Sequence, residues 1–168
     1  RRGVAVTDYD ALQRWSIERP EEFWSELAHF ADVIATFDAS PVYVPGAHLQ
    51  DGQWFPKAKL NFAENLLRFK DDHCALVFSN ERGARRTLSY RQLHAEVGRI
   101  AAGLTAAGVV AGDRVAAFMP NLPETVIAML ATTAIGAVWS SAAPEFGAQT
   151  VIDRFSQIAP KLVFAVNG

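Results

Sequence analysis

The sequence predicts an α/β protein: a βαβαβ unit, a parallel sheet with helices on its faces, preceded by a helical amino-terminal extension. Three observations carry this. RVAAFM (114–119), AVWS (137–140) and KLVFAV (161–166) are short apolar runs of the kind buried in a parallel sheet. NLPETVIAMLATTAIG and AQTVIDRFSQIA, which separate them, have the length and apolar spacing of helices. Strand, helix, strand, helix, strand with right-handed crossovers is a parallel sheet. Residues 1–70 read as the helical and irregular extension and residues 71–168 as the start of the larger α/β portion.

In chain order, residues 8–30 form two helical pieces split at Pro20, DYDALQRWSIER and PEEFWSELAHF. Pro20 suits a first helical position and Glu21 and Glu22 suit the first turn. Trp15, Phe23, Trp24, Leu27 and Phe30 give the pair an apolar side. From Ala31 to Gln53 the pattern is irregular, with turns at Pro41, Pro45, Gly46 and Gly52, and reads as a wrapping segment. WFPKAKLNFAENLL (54–67) passes from an extended start into a short helix capped by Asn61, with Glu64 three residues on. CALVFSN (74–80) is a strand, ERGARR a turn, and Thr87-Leu88 the returning strand. Ser89 and Gln92 form a capping-box pattern, after which Leu93, Val97, Ile100, Ala101 and Leu104 recur at helical spacing until Gly108. Asn121 and Glu124 are expected to cap the next helix, with Pro123 in its first turn and Gly136 after its end.

Composition narrows the function. At 168 residues, half of them hydrophobic, the chain can bury a sizeable core. Sixteen basic and eighteen acidic residues give a net charge of -2 without a basic block, which excludes a nucleic-acid partner and an anionic membrane surface. The lone Cys74 cannot form an internal disulfide, and no Cys/His spacing suggests zinc, so a cytoplasmic setting is expected. RRGVAV lacks an apolar run and the weakly charged stretch 125–144 is broken by Gly136, so neither signal peptide nor membrane span is expected. An opening Arg in place of Met leads to the expectation that the chain is a piece of a longer product.

Ligands of open parallel sheets gather beyond the carboxyl ends of the strands. Two such ends are MPNLP and SSAAPEFG, and the small residues Ser140, Ser141, Ala142 and Ala143 permit close approach by a ligand or by another backbone. A tight strand exit packed on the rest of the fold is the alternative. Neither G-x-G-x-x-G nor G-x-x-x-x-G-K-[ST] occurs. Cys74 reads as a buried inert thiol, His94 as a surface histidine and Trp139 as core or interface. Glu145 reads as a cap or turn carboxylate for the helix beginning near Ala148, and Asp153 and Arg154 as a solvated face or local ion pair.

WFPKAKLNFAENLL, TLSYRQL, GDRVAAFMPNLPETVIAMLATTAIGAVWSSAAPEFG and DRFSQIAPKLVFA resemble, in this order, the amino-terminal part of the adenylate-forming acyl-CoA synthetases. YDALQRW and PEEFW are similar to the acetoacetate-activating branch; acetyl- and propionyl-activating branches share the middle motifs but differ at WSSAAPEFG. The likeness covers nearly the whole chain. Lys57, Phe62, Ala142-Ala143 and Glu145 depart from the usual Gly, Tyr, Cys-Ser and Asp.

The resemblance implies the large domain of an adenylate-forming ligase that uses ATP and Mg to activate a carboxylate as its adenylate, then lets the thiol of CoA displace AMP. It implies that the Ser/Thr/Gly-rich phosphate loop, the adenine and ribose sites and the catalytic Lys lie after Gly168, so this chain is expected to hold no catalytic or metal-binding residue and to act with the remainder of the same polypeptide. It implies that Pro144, Glu145 and Phe146 border a CoA channel, where Glu145 would accept hydrogen bonds from pantetheine amides. A truncated, non-catalytic CoA- or partner-binding module is the rival from a different class.

Overall fold

In a computed structural model, which describes residues 6–38 and 41–166, the chain divides after Leu60 into two compact units. In the first unit, Asp8 caps helix α1 (Tyr9–Glu18) by accepting the amide of Ala11 at 2.8 Å. Arg19 leaves helical geometry, and Pro20 opens α2 (Pro20–Phe30), as its missing amide hydrogen allows. The two helices meet through Trp15 and Phe23, edge to face at 5.1 Å, with the Trp15 indole donating to Glu22 at 3.1 Å.

The segment expected to be irregular contains a small antiparallel ribbon, β1 (Tyr43–Val44) against β2 (Gln53–Trp54). Two-residue strands show no period-2 pattern, so tertiary contact reveals what sequence spacing cannot. Trp54 joins them to the helices, lying 4.3 Å from Tyr43 and 5.4 Å from Trp24 between ring centroids. Trp24, Leu27, Val33, Phe37, Phe55 and Leu60 line an apolar groove of about 280 Å³.

The second unit begins at Asn61. Asn61 caps the short helix α3 (Phe62–Leu66) by accepting the Glu64 amide at 3.1 Å. Its amide nitrogen donates to the carbonyls of Thr133 and Ala134 at 3.2 and 3.0 Å, at the end of α5 (Pro123–Ala134). One side chain thus satisfies both ends of a helix pair. Strands β3 (Cys74–Ser79) and β4 (Arg85–Ser89) form a hairpin, its turn held by the Asn80 side chain accepting the Arg82 and Ala84 amides. β4 extends further than the expected Thr87-Leu88, through the exposed Arg85 and Arg86.

The capping box at Ser89 and Gln92 is present, and α4 (Tyr90–Ala106) buries Leu93, Val97 and Leu104. Gly108 follows with φ +82°, a left-handed conformation open to glycine. The expected cap of α5 is displaced: Leu122 is the N-cap, because Pro123 occupies the first helical position, and Asn121 falls one residue too early. Thr125 donates instead to the Pro120 carbonyl at 2.7 Å.

The central sheet has the order β6-β5-β7, with β5 (Arg114–Phe118) parallel to both β6 (Val138–Ala142) and β7 (Leu162–Ala165). Val115, Ala116 and Ala117 of the middle strand are completely buried, as a strand covered on both faces requires. Helix α6 (Ala148–Ile158) connects β6 to β7 across β5 and ends at a left-handed Ala159, φ +43°. Arg114 secures that end by donating to the carbonyls of Ile158 and Ala159 at 2.8 and 3.1 Å. The fold is the expected α/β arrangement with a βαβαβ unit.

Candidate functional site

Strand β5 passes through α5 to its neighbour β6, whereas β6 passes through α6 back over β5 to β7. The two connections run in opposite senses along the sheet, so right-handed crossovers send α5 and α6 to opposite faces. The order is that of a sheet whose first strand lies between its second and third, and the switch point at which such sheets leave a crevice falls between the carboxyl ends of β5 and β7, next to the exit of β6. At the exit of β6, Phe118 stands in register with Ala142 and the Met119 amide donates to the Ala142 carbonyl at 3.3 Å.

The three site residues expected from the sequence lie together at this exit. A turn brings the Phe146 amide to the Ala143 carbonyl at 3.1 Å, leaving Pro144 and Glu145 exposed at its tip. Ala142 is buried and Ala143 half-buried, so the small residues let the turn sit close on the sheet end. Glu145 is not a helix cap: Gly147 occupies the N-cap of α6 and no side chain bonds there. The carboxylate is two residues too early to reach the first-turn amides and is left to solvent.

Phe146 does not turn inward. Its ring lies beneath the guanidinium of Arg154, 4.5 Å from the ring centroid, and remains 38% exposed. Arg154, read from the sequence as part of a solvated helix face, is thereby brought to the site. No spacing rule reveals this, because Phe146 precedes the helix and its side-chain direction is set by the turn. Asp153 is not its partner, accepting from Gln149 at 2.8 Å.

Other candidates lie apart. Cys74 is exposed, not buried, because a register shift between Cys74 and Leu76 turns the first residue of β3 outward. It borders a cavity of about 330 Å³ with Asp72, Ser89 and Gln92. His94 is exposed, and Trp139 packs against the core with its ring 6.3 Å from that of Phe164. A cavity of about 320 Å³ includes Met119 and Phe164, and its charged rim is paired internally, Arg86 with Glu124 and Arg99 with Glu96. Among the described residues no cluster of three His, Cys, Asp or Glu could hold a metal ion. No described helix is long and apolar enough to cross a membrane.

The family model of AMP-binding enzymes matches residues 62–167, and that of the acetyl-coenzyme A synthetase N-terminus matches residues 9–66. An acetoacetyl-coenzyme A synthetase of Rhizobium meliloti (strain 1021) is 45% identical over all of this chain and 26% of its own length. A malonamoyl-CoA synthetase of Penicillium aethiopicum is 33% identical over 98% of this chain and 24% of its own. The solved acetoacetyl-CoA synthetase from Streptomyces lividans superposes with a TM-score of 0.90 at 39% identity, covering 100% of this chain and 26% of that one. The chain thus spans about a quarter of the length of these relatives. With the matched region running from α3 through the parallel sheet, the chain belongs to the family of AMP-binding enzymes.

Proposed function

We propose that this chain serves as the amino-terminal part of an ATP-dependent acid–thiol ligase that converts acetoacetate, ATP and CoA to acetoacetyl-CoA, AMP and pyrophosphate. The observation that carries the reading is the likeness of the entire chain, in sequence and in fold, to acetoacetyl-CoA synthetases. On this reading residues 1–70 form an extension and residues 71–168 the first part of the AMP-binding large domain, working in the cytoplasm. Alone the chain is catalytically inert, the phosphate-binding and catalytic motifs of the ligase being supplied by the remainder of the polypeptide.

In the complete enzyme, ATP with Mg supplies the phosphoryl electrophile and CoA the thiol. On this reading Mg is held with ATP by the remainder of the polypeptide. The strand exit fits one portion of CoA. Glu145 is an exposed carboxylate, an acceptor suited to the amide hydrogens of pantetheine and unsuited to phosphate. Pro144 and Phe146 offer apolar surface on either side. Their role is to bind and orient the thiol-bearing arm.

Two measurements test this. In the complete protein, pyrophosphate release with acetoacetate should exceed that with acetate or propionate; preference for either would move the chain to another short-acyl ligase. Glu145→Ala should raise the apparent KM for CoA about tenfold, equivalent to ~1.4 kcal/mol, far more than it alters CoA-independent pyrophosphate exchange. An unchanged CoA requirement overturns the channel assignment.

A further inference from the structure

We infer that Arg154 is a positioning residue for the thiol-donor site: its guanidinium, stacked on Phe146, holds the turn from Ala143 to Gly147 in place and thereby fixes Glu145 at the carboxyl end of β6. This rests on the reading of Pro144, Glu145 and Phe146 as a border of the CoA channel.

The turn has few ties of its own. Its backbone is closed by the Phe146 amide on the Ala143 carbonyl at 3.1 Å and joined to α6 by the Val151 amide on Gly147 at 3.2 Å. The helix receives no side-chain cap, and glycine at the N-cap adds no restraint. The contact between Arg154 and Phe146 is therefore the side-chain tie from the body of α6 back to the turn.

The helix sequence leaves the guanidinium free to make it. Positions three and four residues away on either side are Thr150, Val151, Gln157 and Ile158, none of them acidic. Among the described residues Arg154 has no carboxylate partner. A planar cation with delocalised charge stacks on an aromatic face better than an ammonium, so arginine is the fitting residue type. Because Phe146 follows Glu145 directly, a backbone shift of the turn that breaks the stack also displaces Glu145.

The test uses the complete enzyme with its best acid substrate. Arg154→Ala should raise the apparent KM for CoA about threefold, a larger change than in CoA-independent pyrophosphate exchange, and Arg154→Lys should recover part of it. Amide hydrogen exchange supplies a readout free of activity: the Phe146 amide should exchange faster in Arg154→Ala than in Arg154→Lys. If Glu145→Ala shifts the CoA requirement and Arg154→Ala shifts neither it nor the exchange at Phe146, the positioning role is wrong and the channel stands. Equal slowing of CoA use and pyrophosphate exchange would reduce Arg154 to general stability and also overturn the inference. If neither substitution alters the CoA requirement, both assignments fall together.

Discussion

The two units bury their apolar residues in opposite ways. Every buried hydrophobic residue among those described, from Ala63 to Val151, belongs to the second unit, where aliphatic side chains fill a sheet covered by helices. The first unit relies on rings that touch edge to face, Trp15, Phe23, Trp24 and Trp54 in succession, and none of its described residues is buried. Aromatic pairs stabilise through contact geometry while their outer faces stay wet, whereas aliphatic cores stabilise through removal from water. The second unit should accordingly dominate stability, with the first more tolerant of truncation.

The largest test compares two leucines. Leu130 is 2% exposed and Leu27 is 36% exposed. Leu130→Ala should cost about 3 kcal/mol and Leu27→Ala about 1 kcal/mol, read from urea unfolding of each variant. Equal losses would show that the aromatic unit is as tightly packed as the sheet.

A smaller effect is expected at Asn61. Asn61→Ala removes the α3 cap and leaves the Thr133 and Ala134 carbonyls without that donor, costing about 1–2 kcal/mol. Asn61→Asp keeps the cap but brings a negative charge to the carbonyl end of α5, so it should not restore stability. If the aspartate variant matches the wild type, the contact with α5 contributes nothing and only the local cap counts.

The smallest effect separates two carboxylates by pH. Asp113 is held below the usual carboxylate range mainly by the hydrogen bond from Lys161, at 2.8 Å, and then by the Val110 amide. Its stabilisation is complete above the unfolded value of about 3.9 and is lost as pH falls through the lower folded value. Asp8 in the first unit is lowered chiefly by the Ala11 amide, and Asn would serve as well at that cap. The gap in melting temperature between wild type and Asp113→Asn should therefore close below about pH 4. Asp8→Asn should change little at pH 7. A gap that persists unchanged to pH 3 would show that Lys161 does not sense the charge of Asp113.

Much of the second unit was legible because its signals are local and repeated. Ser89 and Gln92 form a capping box wherever the chain goes, and RVAAFM has the continuous apolar character of a doubly covered strand. The displaced cap at Leu122 shows the limit of such reading: Asn121 had the right chemistry but Pro123 set the register. Cys74 failed for a related reason, since one register shift reverses which face a strand residue occupies. In the first unit, the ribbon of Tyr43–Val44 and Gln53–Trp54 was too short to carry a period.

The sequence by itself determined the α/β class, the order of strands and helices, and the turn of small residues that ends in Pro144, Glu145 and Phe146, because caps, apolar runs and turn residues act within a few positions of one another. Only the tertiary structure decided that β5 lies between β6 and β7, that Asn61 reaches the end of α5, and that Arg154 covers Phe146. Those contacts depend on where crossovers carry distant segments, and side-chain direction outside a regular element has no periodicity from which it could be read.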